Sequence, residues 1–416
     1  MPKYDAVVIG AGNGGLAAAC RMAKGGKKTL LIERHNMPGG CASSFRRGRF
    51  EFETALHEIC EWGTKENPGG CRRICDEFGL DIPWHMVPDN FRVITTASDG
   101  RTHIDATLPC TVKEFVNEME RLVPGCRKSI QDLFDLGTEF HAAGDYSLSV
   151  AGKTDPKYMQ EHFPNFLRLG SYTVNRVFRA MKMPKLAQDI MNTYWGYLGV
   201  DADHLSFLQY VNMLWLYVNH GAWIPDKTSN ELTTGLLECF RSMGGEVWMN
   251  CTATEILFDE SKAVRGVKTT CGEVETKHIL CNMNQNMVYA TMCPPEVVPE
   301  RMVKLGNART YSARMFVVYM GLDRSAEELG IRDYTVFLPT SADTAKEYES
   351  GKTIATNCNQ VMVCYNVVNP GFSPEGSVPL IGLIFVIAIF PQAPPLFLLC
   401  PLGRRCPYCS RALQSD

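Results

Sequence analysis

The chain has 416 residues, 45% of them hydrophobic and 21% charged, and a formal net charge of -3 at pH 7. That much apolar chain can bury a large core, and the length suits two intertwined domains. The near-neutral balance, with no stripe of Lys and Arg interleaved with aromatics, argues against nucleic acid as a partner.

An unbroken apolar run, Ala6 to Ile9, suits a buried parallel strand, and Gly10, Gly12 and Gly15 follow it in the G-x-G-x-x-G spacing, with Asn13 and Gly14 between. Gly10 permits a tight turn, Gly12 lets the backbone approach a pyrophosphate, and Gly15 lets the next helix pack close to the strand. That helix is predicted from about Gly14 through Lys24, with Gly25-Gly26 as its stop. A second strand, Thr29 to Ile32, ends on Glu33, at the distance expected of a carboxylate that accepts hydrogen bonds from an adenosine ribose, and Arg34 follows it. Strand, glycines, helix, strand and acid in one short unit predict a dinucleotide site.

The chain enters its first strand almost at once, so neither a signal peptide nor a transit peptide is expected and the start reads as cytoplasmic. Seventeen cysteines scattered without a framework fit reduced, packing thiols better than a disulfide scaffold. Cys71 and Cys75, four apart on a predicted helix, would need two further ligands to hold a metal, and none is identified.

Gly39-Gly40 comes next, followed by CASSFRRGRFEFETALHEI. The stretch GGCASSFRRGRFEFETALH resembles the signature downstream of the dinucleotide fold in the superfamily of phytoene desaturases, carotenoid isomerases and retinol saturases. The resemblance implies FAD as resident cofactor, and an α/β fold in which a Rossmann-like FAD-binding domain is combined with a discontinuous α+β substrate domain. It implies that Gly10, Gly12 and Gly15 hold the pyrophosphate, that Glu33 holds the ribose, and that Gly39 and Gly40 form the second glycine pair. It further implies that Ser43, Ser44 and Arg46 lie beside the cofactor and that Glu53 and His57 lead towards the flavin ring. Ala55 stands where many relatives have glycine. On the residues alone, the alternating run FEFETALHEI reads as a strand that could place His57 on a hydrogen-bonded structural face, and Arg46, Arg47 and Arg49 could equally be a solvated face.

Residues from about Asn90 to His220 contain helical stretches rich in large apolar side chains. Tyr194, Trp195, Tyr197, Tyr210, Trp215 and Tyr217 could line a cavity for the isoprenoid-like chain the resemblance implies, or simply pack a core. Ser229 to Met243 is predicted helical and stops at Gly244-Gly245. EVWMNCTATEILFDESKAVRGVKT then reads as two strands around a turn, with Val247, Met249, Ile256 and Val267 as core candidates, and an apolar strand, His278 to Cys281, ends at Asn282. This pattern resembles the superfamily's return to its FAD domain, although Trp223 to Thr228 replaces the usual glycine-rich entry. The runs Met315 to Leu322 and Val361 to Val368 should supply the sheet of the substrate domain. The expected division is 1–89 and 223–300 for FAD, and 90–222 and 301–376 for substrate.

Ser377 to Gly403 carries no charge and is broken by prolines. The apolar run Leu380 to Phe390 is too short to cross a bilayer, which leaves three readings of residues 377–416: an anchor, a truncated or out-of-frame end, or an unusual buried strand pair. Cys406-Pro407-Tyr408-Cys409 lacks the following helix that would make it a redox dithiol. No Ser-His-Asp, paired-carboxylate or metal constellation emerges, so no catalytic residue is assigned. The expected function is FAD-dependent desaturation, saturation or isomerisation of an apolar polyene or isoprenoid-like small molecule, with peripheral membrane contact; the alternative is a truncated, catalytically silent chain that partly binds dinucleotide. The oligomeric state is not set by the sequence.

Overall fold

The computed structural model describes residues 1–55, 57–309, 314–353 and 359–386, and its architecture is mixed α/β. Cys406 to Cys409 and the prolines from Pro391 onward lie outside the described residues. The chain divides into two compact units, one containing Met1–Gly40 and Thr233–Tyr311, the other Cys41–Leu232 and Ser312–Ile389. These breaks fall after Gly40, Leu232 and Tyr311, whereas the expected division places them after 89, 222 and 300. The region 41–89 carries no strand of the parallel sheet, so it belongs with the elements that follow it.

In the first unit a four-stranded sheet runs in the order Ile279–Cys281, Ala6–Ile9, Thr29–Ile32, Glu246–Trp248, and every neighbour is parallel. The two central strands are buried along their whole length, which is why they read as continuous apolar runs rather than alternating ones. The helix Asn13–Lys24 crosses between them, burying Leu16, Ala19 and Cys20. Residues 246–269 form three strands rather than two. Glu246–Trp248 joins the parallel sheet, while Ala253–Phe258 and Val264–Thr269 pair with Gly272–Glu275 in a separate antiparallel sheet. Ile256 and Val267 are core, as expected; Val247 and Met249 are only half-buried.

The second unit is built on a six-stranded sheet in the order Arg314–Leu322, Val378–Val386, Gln360–Cys364, Thr335–Leu338, Asp89–Thr96, His103–Pro109. All pairs are antiparallel except Thr335–Leu338 against Asp89–Thr96. The runs at 315–322 and 361–364 are sheet strands, and residues 365–367 turn into a short 3-10 segment. Residues 378–386, set apart by composition in the sequence, form an interior strand between two others, with Val378, Ile381 and Leu383 buried. Pro379 is the second residue of that strand, near the end where a missing N–H costs least. Helices including Arg127–Ser149 and Phe207–Asn219 share the core of this unit. Among the described residues no helix is long and apolar enough to cross a membrane.

Candidate functional site

The first unit presents the glycine cradle. Gly10 takes φ +99°, a conformation an L side chain rarely adopts, and a Cβ there would stand 2.7 Å from the Asn282 carbonyl oxygen. At Gly15 a Cβ would lie 2.0 Å from the Gly10 carbonyl oxygen, so helix and strand approach as closely as the spacing predicts. Gly12 is the residue before the helix, and Asn13 and Gly14 open it without any side-chain cap. The first-turn N–H groups are thus the orphan donors that make a helix start an anion site. Asn13 Oδ1 is buried without a hydrogen-bond partner.

The second glycine pair folds back onto the first. Gly39 donates its N–H to the Ala11 carbonyl at 2.7 Å and pairs with Gly12, and a Cβ on Gly40 would sit 3.4 Å from the Gly12 Cα. Glu33, 9% exposed, accepts the Ala11 N–H at 2.7 Å on one carboxylate oxygen and the His35 N–H at 2.8 Å on the other. Each oxygen keeps a lone pair for a ribose hydroxyl. Arg34 beside it is exposed. Asn282, at the end of its strand as the sequence indicated, is the side chain against which Gly12 and Gly14 pack. The closed cradle with the uncapped N–H groups of the helix start fits the diphosphate of a dinucleotide, and the positioned Glu33 carboxylate fits its ribose.

The remaining expected site residues lie in the second unit. Ser44 is buried and tied to its neighbours: its hydroxyl donates to Glu51 at 2.7 Å and accepts from the Asn230 amide at 2.6 Å. Ser43 uses its carbonyl to accept the Thr54 N–H and hydroxyl. Arg46 is exposed on the strand Ser44–Arg47, as are Arg47 and Arg49, and Arg49 pairs with Asp323. Glu53 accepts both the N–H and the hydroxyl of Ser229 at the start of the helix Ser229–Ser242, and burial pushes its carboxyl up to about 7 against those bonds. The entry to that helix, Trp223–Pro225, is a strand paired with Trp84–Met86 rather than a glycine-rich loop.

His57 does not continue the strand that alternation suggested. The ladder ends at Glu53, because the Thr54 hydroxyl turns back to the Cys41 and Ser43 carbonyls. His57 is instead held by two tyrosines that sequence reasoning missed. Its Nδ1 is 2.8 Å from the Tyr365 hydroxyl, and its carbonyl accepts the Tyr334 hydroxyl. Burial lowers its imidazole to about 4, and Nε2 is buried with no partner. Its neighbour Glu58 accepts the Tyr197 hydroxyl at 3.1 Å and the Thr335 hydroxyl at 3.4 Å, and burial pushes it up to about 7. Only the adjacency of a His and a Glu marked this cluster in the sequence. Tyr194, Trp195, Tyr210 and Tyr217 are core residues; the Tyr210 hydroxyl donates to the Met191 carbonyl at 2.6 Å and Tyr194 to the Asn90 carbonyl. Trp215 is half-buried and stacks on His141.

Cys71 and Cys75 do share the helix Gly70–Phe78, and among the described residues no group of three or more His, Cys, Asp or Glu is placed to hold a metal ion. The thirteen described cysteines are free thiols.

Residues 8–78 match the family described as NAD(P)-binding Rossmann-like domain. The chain is 26% identical over 384 residues to the all-trans-retinol 13,14-reductase of Danio rerio, an alignment that covers 83% of this chain and 59% of that one. It is 22% identical over 386 residues to the lycopene-forming phytoene desaturase of Pseudescherichia vulneris, covering 89% and 74%. The chain thus spans about three-fifths of the length of the retinol reductases it matches. Among solved structures, an oxidoreductase from Methanosarcina mazei superposes with a TM-score of 0.65 at 15% identity, covering 92% of this chain and 79% of that one, and so shares its fold.

Proposed function

Because the chain belongs to the superfamily of phytoene desaturases, carotenoid isomerases and retinol saturases, we propose that it is an FAD-dependent oxidoreductase acting on carbon–carbon bonds of an apolar polyene or isoprenoid-like substrate. The observation that carries this reading is the second glycine pair packed onto the first, Gly40 against Gly12. A nicotinamide fingerprint needs only the first set, whereas the doubled cradle agrees with the pattern of this superfamily.

FAD, when bound, supplies hydride transfer to or from carbon. In this reading the first-turn N–H groups from Asn13 to Gly15 bind the diphosphate, and Glu33 orients the adenosine ribose. Saturating or forming a double bond also moves a proton. Glu58, whose carboxyl stays partly protonated near neutral pH, is the group suited to hold it, with Tyr197 and Thr335 fixing its orientation. His57, neutral at that pH, offers an unpaired Nε2 as a hydrogen-bonding contact for a ligand. The relatives' apolar substrates would also bring the protein into peripheral contact with membranes.

The test is the visible spectrum of the purified chain after reconstitution with FAD and gel filtration. Flavin bands that travel with the protein, and bleach anaerobically when a polyene substrate is oxidised, are expected. A protein that remains colourless at saturating FAD rejects the cofactor assignment, and bound flavin without turnover on any polyene leaves a dinucleotide-binding protein that is catalytically silent.

A further inference from the structure

Two thiols of the first unit that the glycine cradle does not use lie one backbone hydrogen bond away from it. Cys251 follows the strand Glu246–Trp248 and is fully buried, in one core with Val7, Ile32 and Val267. Cys271 is exposed, in the two-residue turn Thr270-Cys271 between the strands Val264–Thr269 and Gly272–Glu275. Though apart in sequence, the two face each other. The Thr270 N–H donates to the Thr252 carbonyl at 2.9 Å, and the Thr252 N–H donates to the Thr270 hydroxyl at 3.0 Å. These bonds continue the pairing of Ala253 with Thr269 and bring together the next residue on each side, Cys251 and Cys271, thiol hydrogen-bonded to thiol. That bond holds the proton of Cys271 and raises its pKa, so Cys271 rests as a thiol at neutral pH.

The buried member of the pair is tied to the residue that carries the ribose carboxylate. Cys251 donates its N–H to the Glu33 carbonyl at 2.9 Å, Asn250 donates to the His35 carbonyl at 3.0 Å, and Glu33 donates to the Trp248 carbonyl at 2.9 Å. Residues 248–251 thus run alongside 33–35 and fix the backbone from which the Glu33 carboxylate reaches the Ala11 and His35 N–H groups. Asn250 takes φ +53°, a left-handed conformation kept only where the surroundings hold it. A displacement of Cys251 is therefore passed to Glu33 rather than absorbed between them.

We propose that Cys251 and Cys271 form a reversible disulfide that weakens the hold of the cradle on its dinucleotide, an inference that rests on the dinucleotide reading of the Glu33 site. The oxidant is a small-molecule disulfide such as glutathione disulfide. The exposed Cys271 loses its proton to solvent, attacks one sulfur of the oxidant and expels a thiolate; Cys251, deprotonated in turn, attacks the Cys271 Sγ of the mixed disulfide and expels the second. Two protons and two electrons leave the protein, and the oxidant departs as two thiols. A covalent bond in place of the hydrogen bond draws Cys251 towards the turn, and the bond from its N–H carries that movement to Glu33.

The experiment equilibrates the full, nucleotide-free chain with reduced or oxidised glutathione, maps its disulfides by mass spectrometry and titrates each form with ADP. Expected are peptides linked through Cys251 and Cys271 that dithiothreitol separates, and ADP binding at least about fivefold weaker in the linked form. Amide hydrogen exchange across residues 33–35 should quicken on linking, a readout that needs no nucleotide. Cys271→Ser, which leaves the buried thiol in place, should show one ADP affinity under both conditions. Free thiols, or glutathione carried on Cys271 with no link to Cys251, overturn the proposal. So does a link that changes neither ADP affinity nor amide exchange, and so does an equal weakening in Cys271→Ser. A reduced chain that binds no ADP, yet forms the link and quickens exchange at 33–35, rejects the dinucleotide reading while the disulfide and its coupling to Glu33 stand.

Discussion

Tyr365 and His57, 308 positions apart in the chain, meet with the phenol oxygen 2.8 Å from Nδ1. The contact satisfies one ring nitrogen of an imidazole whose other nitrogen has no partner. Tyr365→Phe would leave both unpaired in a buried site, which should cost about 1–3 kcal/mol. Urea denaturation of the two proteins measures it, and coincident transitions would show that the contact contributes nothing.

Stability should depend on pH through the same cluster, with two opposing signs. Glu58 is raised from its ordinary 4.5 to about 7, so its contribution is fully present below 4.5 and lost as pH rises through 7. His57 is lowered from 6.5 to about 4, so its contribution is present above 6.5 and lost as pH falls through 4. Glu58→Gln removes the first and leaves the second. Between pH 4.5 and 7 the wild type should lose up to about 3 kcal/mol more on alkalinisation than the variant. Melting temperatures across that window test this, and parallel curves would refute it.

Two glycines of the cradle should fail in different ways. A Cβ at Gly12 meets the Asn282 amide at 3.0 Å, a side chain that can shift, and the Gly39 carbonyl oxygen at an ordinary contact distance of 3.9 Å, so Gly12→Val should keep the fold and lose bound dinucleotide. A Cβ at Gly15 would collide with the Gly10 backbone, so Gly15→Ala should cost about 3 kcal/mol or more before any ligand is considered. Flavin content and thermal unfolding, measured on both, separate the two. Undiminished flavin in Gly12→Val would remove it from the phosphate site.

Gly321, in the strand Arg314–Leu322, makes room for a ring: a Cβ there would come within 2.4 Å of Phe50. Gly321→Ala should destabilise by about 1–3 kcal/mol through overpacking. In a Phe50→Leu background that cost should shrink, and a double-mutant cycle showing no coupling would dismiss the steric account.

The cradle was legible because its parts are local. Gly10 to Gly15, Glu33 and the pair Gly39-Gly40 lie within one βαβ unit, where spacing alone fixes who can touch whom. The sheet strand at 315–322 was legible from its apolar run alone, although Met315, Phe316 and Val318 on it are exposed. His57 was not, because alternation over FEFETALHEI gives no hint that Thr54 stops the ladder by bonding Cys41 and Ser43. Nor does period or spacing connect Glu58 to Tyr197 and Thr335, which lie 139 and 277 residues away and meet it only through the folded sheet and helices. The strand Val378–Val386 was obscured by Pro379 within it, by the prolines that follow in the sequence, and by an apolar run that looks alike in a buried strand, an anchor or an unstructured end.

That strand also sets an order of events during synthesis. Arg314–Leu322 pairs with Val378–Val386 and with no other strand of the six, and Gln360–Cys364 needs the same neighbour on one side. Until the ribosome has released residue 386, the earlier strands wait with open edges and with the apolar faces of Val361 and Val363 uncovered. A nascent chain paused before that point would present a ready template for pairing with other chains, so the passage from Val363 to Val386 is where a cell would have most need to keep this protein apart from its copies.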